Sequence, residues 1–241
     1  MFPTEDAMVE GLVSKLAALF PGFAQVEREV TGRYGVADVV LARVDTSALE
    51  DRAHLQSAPA VRPSEARLLA ALGEAPRDPE ELYAAVPLTR AAARRSLVAL
   101  EHCGRVVRDA DGIRRRARDP YLEFVAVEAK LEDWGRALCQ ARRYLAFAEF
   151  SYIALPADRV HRVRELQRDV AGVGLIAVSP TAAEIVVPAP RSVDVQSWRR
   201  TFVAEMLAAA WTSRTPVATY RSSAFGSRAR AESRSEAARP A

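Results

Sequence analysis

Two carboxylates and a lysine in apolar, strand-like segments are the residues of this chain best suited to chemistry. Asp38 lies inside the run VADVVLA, and Glu128 and Lys130 end the run EFVAVEAK. Side chains two residues apart in a strand point to the same face, so Glu128 and Lys130 project together. A buried carboxylate is costly without a partner or a metal, and pairing of the two strands would bring Asp38 beside Glu128.

The chemistry that this set of side chains suits is metal-assisted hydrolysis of a phosphodiester. Two close carboxylates and the backbone carbonyl between Glu128 and Lys130 form an oxygen-rich site of the kind that Mg²⁺ prefers. The ion would polarise a phosphodiester and lower the pKa of a water, while Lys130 oriented that water or neutralised charge on phosphorus. Lys130 is unusual here, since the only other lysine among 34 basic residues is Lys15. An arginine would instead compete for the carboxylates through its planar fork.

This pattern resembles the PD-(D/E)XK phosphodiesterases, a superfamily that includes restriction endonucleases, archaeal Holliday-junction resolvases and RecB-like nucleases. The shared features are an Asp in a hairpin strand, an apolar strand ending Glu-x-Lys and a helix after it, over about 1–44 and 119–190. The resemblance implies Mg²⁺-dependent hydrolysis, with Mn²⁺ able to substitute. It implies Asp38 and Glu128 as metal ligands and Lys130 as the catalytic lysine. The chain departs from the pattern at Ala37, where family members carry proline, and in a long insertion after the second strand.

Two further features fit the resemblance. The segment QARRY places Gln140 and Tyr144 four residues apart on one helical face. This spacing is similar to the QxxxY element of RecB-like members, which implies a catalytic part for both residues. Many members also place a metal-side glutamate on the N-terminal helix, which implies Glu10 as a further metal ligand.

Each of these features also has a simpler interpretation. Glu128 and Lys130 can form an ordinary ion pair at the end of a strand. Asp38 can cap a turn or pair with Arg33. Gln140 and Tyr144 can share a face because the helix is amphipathic. Only the joint pattern favours a catalytic site.

Hydrophobic periodicity predicts an α/β fold in which one domain is split by an insertion. Strands alternate with helices over 123–179, which requires crossover connections and an at least partly parallel sheet. Together with the resemblance, this predicts a restriction-endonuclease-like mixed sheet flanked by helices. The predicted organisation is a discontinuous core (1–44 and 119–212), a linker (45–62), an insertion (63–118) and a disordered basic tail (213–241). The predicted helices are 5–20, 133–150, 157–172 and 195–211, and the predicted strands are 23–30, 36–44, 123–131, 151–156, 174–179 and 183–189.

The insertion predicts a winged helix-turn-helix module that contacts DNA. Three short helices, 63–75, 78–86 and 88–104, precede an arginine-rich ribbon over 105–118. The third helix would enter the major groove and the ribbon would hold phosphates. A helical module for dimerisation or protein contact, with its arginines facing solvent, is the alternative. The residues predicted to contact DNA are Arg33, Arg90, Arg94, Arg95, Arg114, Arg115 and Arg116.

Composition is consistent with a nucleic-acid partner. Residues 62–118 carry 12 arginines against 8 acids, and residues 221–241 carry 5 against 2. Positive regions attract phosphate polymers or anionic membranes. The chain has no apolar run long enough for a membrane span, an N-terminus without a signal pattern, and two cysteines without metal-ligand spacing. We therefore expect a cytoplasmic protein without a membrane partner.

These observations predict an Mg²⁺-dependent DNA nuclease whose inserted module binds DNA. The alternative is a non-catalytic DNA-binding protein or transcriptional regulator built on a degenerate nuclease fold. A third possible function is a phosphodiesterase that acts on RNA or on nucleotides. Cleavage of both strands by one site per chain would favour a homodimer, and repair or defence systems would supply protein partners.

Overall fold

The computed structural model describes residues 2–32, 35–73, 75–161 and 172–214. Its largest feature is a six-stranded mixed sheet flanked by helices, which confirms the predicted α/β class. The strands are β1 (Gln25–Gly32), β2 (Gly35–Val44), β3 (Val106–Asp109), β4 (Gly112–Arg115), β5 (Tyr121–Ala129), β6 (Phe150–Pro156), β7 (Gly174–Val178) and β8 (Ala183–Val187). The helices are α1 (Glu5–Val13), α2 (Leu16–Leu19), α3 (Thr46–His54), α4 (Pro63–Ala71), α5 (Pro79–Ala84), α6 (Arg90–His102), α7 (Trp134–Tyr144) and α8 (Ser197–Arg214).

The sheet has the order β1-β2-β5-β6-β7-β8. Strands β1, β2 and β5 pair antiparallel, β5, β6 and β7 pair parallel, and β8 returns antiparallel to β7. The parallel pair β5–β6 requires a crossover, which α7 provides. Because β2 lies beside β5, residues far apart in the chain meet at one point of the sheet.

Both faces of the sheet are covered. Met8 and Leu12 of α1 pack on one face against Val39 and Val127. On the other face, Phe124 packs with side chains of α7 and α8 such as Tyr144 and Leu207. Apolar residues therefore alternate between two cores along β2 and β5, which explains why these strands read as continuous apolar runs.

The N-terminal helix predicted over 5–20 is broken in two. The hydroxyl of Ser14 donates to the Gly11 carbonyl at 2.8 Å, and Lys15 Nζ donates to the same oxygen at 2.6 Å. Side chains that bond nearby carbonyls compete with the helical ladder, so α1 ends at Val13 and α2 begins three residues later.

The segment 45–62, predicted as a linker, contains helix α3. Asp45 caps its start by accepting from the Ala48 N–H at 3.2 Å. The helix buries Arg52 instead of an apolar stripe, so hydrophobic periodicity gave no signal. The interpretation of this segment as pattern-free was wrong for residues 46–54.

The insertion has its own apolar core, formed by α4, α5, α6 and the β3–β4 hairpin. Arg77, between α4 and α5, pairs with Ile113 of β4 through two backbone hydrogen bonds of 2.8 and 2.9 Å. Gly112 has φ +133°, and a Cβ at this position would lie 2.6 Å from the Arg77 carbonyl oxygen. Only glycine therefore fits this turn.

Two of the predicted segments lie largely outside the described residues. The helix predicted over 157–172 falls mostly in 162–171, and the predicted tail falls mostly in 215–241. Helix α8 includes residues 213 and 214, the first two of that tail. No helix within the described ranges is long and apolar enough to cross a membrane.

Candidate functional site

Pairing of β2 with β5 brings Asp38, Glu128 and Lys130 together. Val39 pairs with Val127, so Asp38 and Glu128 lie one step further along the same antiparallel ladder. Asp38 Oδ2 accepts from the Ala129 N–H at 2.8 Å. Lys130 Nζ lies 3.1 Å from Glu128 Oε1 and 3.8 Å from Asp38 Oδ2. The three side chains therefore form one cluster at the end of the shared ladder.

Tyr144 holds the second oxygen of Glu128. Its hydroxyl lies 2.6 Å from Glu128 Oε2 and 2.7 Å from the carbonyl oxygen of Val36, and its one proton can be donated to either. Burial raises the pKa of Tyr144 far above its usual range, so the phenol stays a neutral donor. Glu128 is only 1% exposed, so its carboxylate depends on these contacts.

Glu5 is a member of the cluster that sequence reasoning missed. Its Oε2 lies 3.2 Å from Lys130 Nζ, and its Oε1 accepts from the Leu131 N–H at 3.5 Å. Glu5 precedes Met8 by three residues and Leu12 by seven, so it continues the buried face of α1. That spacing was the signal that could have identified it.

Glu10, the metal ligand implied by the resemblance, does not reach this cluster. It is 72% exposed, and its Oε1 lies 3.7 Å from an Arg28 guanidinium nitrogen. Five residues separate Glu5 from Glu10, which places them about 140° apart around α1. The helix therefore turns Glu10 toward β1 when it presents Glu5 to Lys130.

The cluster has more negative than positive charge. Burial raises the pKa of Glu128 despite the hydrogen bond from Tyr144, and the charge of Asp38 adds to the rise. Burial also raises the pKa of Asp38, against the Ala129 N–H and the charge of Lys130. Burial would lower the pKa of Lys130, but attraction to Asp38 and Glu128 outweighs it and the net direction is upward. With Glu5, three carboxylates surround one ammonium.

Gln140 lies one helical turn before Tyr144 on α7. Its Oε1 atom is buried and accepts no hydrogen bond from any residue that the structure describes. A buried acceptor without a donor is costly, so this amide is set for a donor from outside the described chain, such as water or a bound molecule.

The oxygen ligands of the cluster fit Mg²⁺. Within the described ranges, no three His, Cys, Asp or Glu side chains already lie at distances that would hold a metal ion. Mg²⁺ needs less from the protein than a structural metal does, because it usually keeps several waters and binds through one or two carboxylates. Asp38 and Glu128 would supply those two carboxylates, whose hard oxygen atoms are the ligands that Mg²⁺ prefers.

The arginines predicted to contact DNA fall into three groups. Arg94 and Arg95 of α6 are exposed and form no ion pair within the described part of the chain. Arg116 is also exposed, and Arg33 lies outside the described residues.

Three of the predicted arginines bond other groups of the insertion. Arg90 pairs with Glu80 at 2.6 Å and Arg114 with Asp109 at 3.2 Å. The Arg115 guanidinium donates to the Leu69 carbonyl oxygen through both Nε, at 2.8 Å, and Nη2. Burial lowers the pKa of Arg115. Arg115 therefore ties the hairpin to the end of α4 and is turned away from a phosphate partner.

Known proteins show little similarity to this chain in sequence or structure. No protein-family model matches the chain, and no curated protein matches it. Among solved structures, it is similar to the SPO1766 protein of unknown function from Silicibacter pomeroyi, with 20% sequence identity and a TM-score of 0.29. The match covers 37% of this chain and 58% of that chain, less than two thirds of its length.

Proposed function

We propose that the protein is an Mg²⁺-dependent DNA nuclease of the PD-(D/E)XK type. The observation that supports this most is the convergence of Asp38, Glu128 and Lys130 at one end of the β2–β5 ladder, with Lys130 Nζ between the two carboxylates. These residues come from segments about 90 positions apart in the sequence, and each has the chemical type that phosphodiester hydrolysis needs.

In this proposal each side chain has a distinct task. Asp38 and Glu128 provide the carboxylate oxygens that bind the metal. Tyr144 fixes the orientation of Glu128 through the 2.6 Å hydrogen bond. Gln140 offers its unpaired amide oxygen to a water or a substrate group. Bound Mg²⁺ would supply Lewis-acid polarisation of the phosphate and a lowered pKa for water.

Lys130 provides the mobile positive charge of the site. Its ammonium is 3.1 Å from Glu128 and 3.2 Å from Glu5, so it is attracted by several carboxylates at once. A compact ammonium on a flexible stem can turn from these partners toward a phosphate oxygen or an attacking water. An arginine fork would hold a carboxylate through two parallel hydrogen bonds and resist such a movement.

Two features of the fold support the finer assignment. A sheet whose antiparallel strands carry the acids and whose parallel strand follows a crossover helix is similar to a restriction-endonuclease-like core. In the insertion, the sequence of helix, bridging residue Arg77, two helices and a hairpin is similar to a winged helix. Its helix α6 exposes Arg94 and Arg95, which suit phosphates and base edges.

The test of this proposal is a cleavage assay on labelled single-stranded, duplex and branched DNA. We expect cutting with Mg²⁺ or Mn²⁺ that stops when EDTA is added, because the carboxylates alone cannot activate water at phosphorus. Lys130→Arg, which keeps the charge, is the control against a contaminating nuclease. Cutting that continues in EDTA or in the variant would contradict the proposal.

A non-catalytic DNA-binding regulator is the second candidate. The observation that favours it is the burial of Glu128, which is 1% exposed and already paired with an ammonium and a phenol. Such a network can serve as a structural ion pair. Salt-sensitive DNA binding without cleavage of any DNA form would favour this candidate.

A further inference from the structure

A basic cleft lies between the end of α7 and the start of α8. It encloses about 770 Å³, within the roughly 300–1,000 Å³ typical of ligand pockets. Three of its lining side chains are arginines and one is acidic, which gives the cleft a positive potential. The residues that line it are Arg142, Arg143, Leu145, Ala146, Asp194, Gln196 and Arg199.

The cleft is adjacent to the Asp38–Glu128–Lys130 cluster. Arg143 and Arg199 also line a small cavity whose other walls include Tyr144 and Gly35. Tyr144 is the residue that bonds Glu128. A Cβ at Gly35 would lie 3.7 Å from the Tyr144 ring, so the end of the β1–β2 hairpin lies close to α7. One residue thus separates the arginines of the cleft from the acids of the cluster.

The basic surface continues along α7. Arg136, Gln140 and Arg143 lie within about 60° of one another around the helix, and residues 134–144 contain no acid. Arg136 and Arg143 are both exposed, and neither forms an ion pair with a described residue. Cations near a helix C-terminus favour the helix, but Arg136 lies in the first turn, where a cation is unfavourable. Helix stability therefore does not explain Arg136.

We propose that Arg136, Arg143 and the cleft bind the phosphates of one DNA strand beside the catalytic cluster. The choice of DNA rests on the proposed function. Arginine binds phosphate through two parallel, charge-assisted hydrogen bonds, so Arg136 and Arg143, which are exposed and form no ion pair with a described residue, suit a phosphate chain. A cleft of this volume has room for a short part of one strand. It is separate from α6, which belongs to the insertion.

The test is DNA binding by fluorescence anisotropy in EDTA, where metal-dependent cleavage cannot interfere. The probe is a fluorescein-labelled single-stranded DNA oligonucleotide, titrated over a range of salt concentrations. For the double variant Arg136→Ala/Arg143→Ala we expect weaker binding, and a slope of log K against log salt that is smaller by about 1.4, which is roughly 0.7 for each lost phosphate contact. The double lysine variant should keep most of the slope.

Arg43→Ala is the matched control, since Arg43 is an exposed arginine at the far end of β2 and pairs with Glu123. Its slope should stay close to that of the parent chain. An unchanged slope and affinity in the Arg136/Arg143 variant, with an unchanged melting temperature, would overturn the cleft assignment. An equal loss on RNA of the same sequence would replace DNA by RNA as the occupant.

A separate measurement distinguishes this inference from the proposed function. Hydrolysis of bis(p-nitrophenyl) phosphate by the parent chain with Mn²⁺ reports on the catalytic cluster alone. If hydrolysis occurs but the double variant binds DNA normally, the cleft assignment fails and the nuclease proposal stands. If the variant loses slope but no hydrolysis occurs, the cleft stands and the nuclease proposal fails.

Discussion

Each oxygen of the Glu128 carboxylate has its own partner, so each partner contributes separately to the stability of the buried carboxylate. One oxygen lies 3.1 Å from the ammonium of Lys130 and the other 2.6 Å from the hydroxyl of Tyr144. Burial raises the pKa of the carboxyl group, so the carboxylate form is already disfavoured. Loss of either partner leaves a buried oxygen without a donor, which costs more than an exposed hydrogen bond.

Tyr144→Phe removes the phenol hydroxyl and keeps the ring. We expect the free energy of unfolding to fall by about 1.5–3 kcal/mol, the range for hydrogen bonds to charged groups. Urea denaturation followed by circular dichroism measures it. Tyr121→Phe is the matched control, because the Tyr121 hydroxyl is buried and bonds no residue in the described ranges. Equal stability of Tyr144→Phe and the parent chain would show that Tyr144 does not hold Glu128.

Lys130→Arg and Lys130→Ala separate the charge of the lysine from its shape. A lysine at the end of a strand is expected to contribute little to packing, but Lys130 is 15% exposed and contacts three carboxylates. We therefore expect Lys130→Ala to lower the melting temperature clearly and Lys130→Arg to lower it little. Both should lose cleavage. An arginine variant that cleaves at the parental rate would contradict the assignment of Lys130 as the catalytic lysine, and with it the proposed function.

The sequence predicted those pairs of side chains that local periodicity puts on one face of a strand or a helix. Glu128 with Lys130 follows from the alternation of a strand, and Gln140 with Tyr144 from the turn of a helix. Glu5 could have been identified because it continues the apolar face of Met8 and Leu12 on α1, whereas Glu10 lies off that face. The bond from Arg115 to the Leu69 carbonyl joins segments 46 residues apart, so no local pattern indicates it.

At the scale of elements, a buried Arg–Glu–Arg group joins the insertion to the core. Glu205 of α8 bonds Arg52 of α3 at 2.7 and 3.2 Å and Arg105, just before β3, at 2.6 Å. It also accepts from the Ala60 N–H at 2.7 Å. All three charged side chains are at most 5% exposed. This group explains why residues 45–62 are attached to α8 through a buried charged side chain and not through an apolar stripe.

Glu205→Ala leaves two buried guanidinium groups without their shared carboxylate. We expect a loss of about 3–5 kcal/mol in unfolding free energy, as for one partner removed from a buried ion pair. Glu184→Ala, an exposed acid on β8, should change little. If Glu205→Ala lowers the free energy of unfolding no more than Glu184→Ala does, the Arg–Glu–Arg group does not hold the insertion to the core.

Alkylation of Cys103 reports the same contact independently. Burial raises the pKa of this thiol, so little reactive thiolate is present near neutral pH. We expect Cys103 to react faster in Glu205→Ala, with the exposed Cys139 as the internal reference.

Helix α6 of the insertion presents two exposed arginines, Arg94 and Arg95, that form no ion pair with a described residue. Arg94→Ala/Arg95→Ala should weaken binding to duplex DNA and reduce the salt slope by about 1.8, or roughly 0.9 for each lost phosphate contact. Anisotropy titrations at several salt concentrations measure this. Arg62→Ala, at the residue that precedes α4, is the control, because Arg62 pairs with Glu65. Unchanged binding at low salt would remove α6 from the DNA interface.

At the scale of the whole molecule, the chain has one basic surface beside the acidic cluster and a second on the insertion, which joins the sheet at the opposite ends of β2 and β5. The α7–α8 cleft adjoins Tyr144, and the insertion is fastened to α8 through Glu205. Helix α8 therefore contacts both surfaces, which under the proposed function would fix the spacing between bound DNA and the Asp38–Glu128–Lys130 cluster. The α/β class was predictable from the order of elements, whereas the packing of residues 63–118 against α8 depends on contacts between distant segments.

The most direct measurement is the single-turnover rate of DNA cleavage with Mg²⁺ for the parent chain and Asp38→Asn. The amide keeps the oxygen that accepts from the Ala129 N–H, so stability and DNA affinity should be retained. The account predicts cleavage by the parent chain and a loss of at least about 100-fold, or ~2.7 kcal/mol, in the variant. Cleavage by the variant at the parental rate, or none by the parent chain on any DNA form, would contradict it.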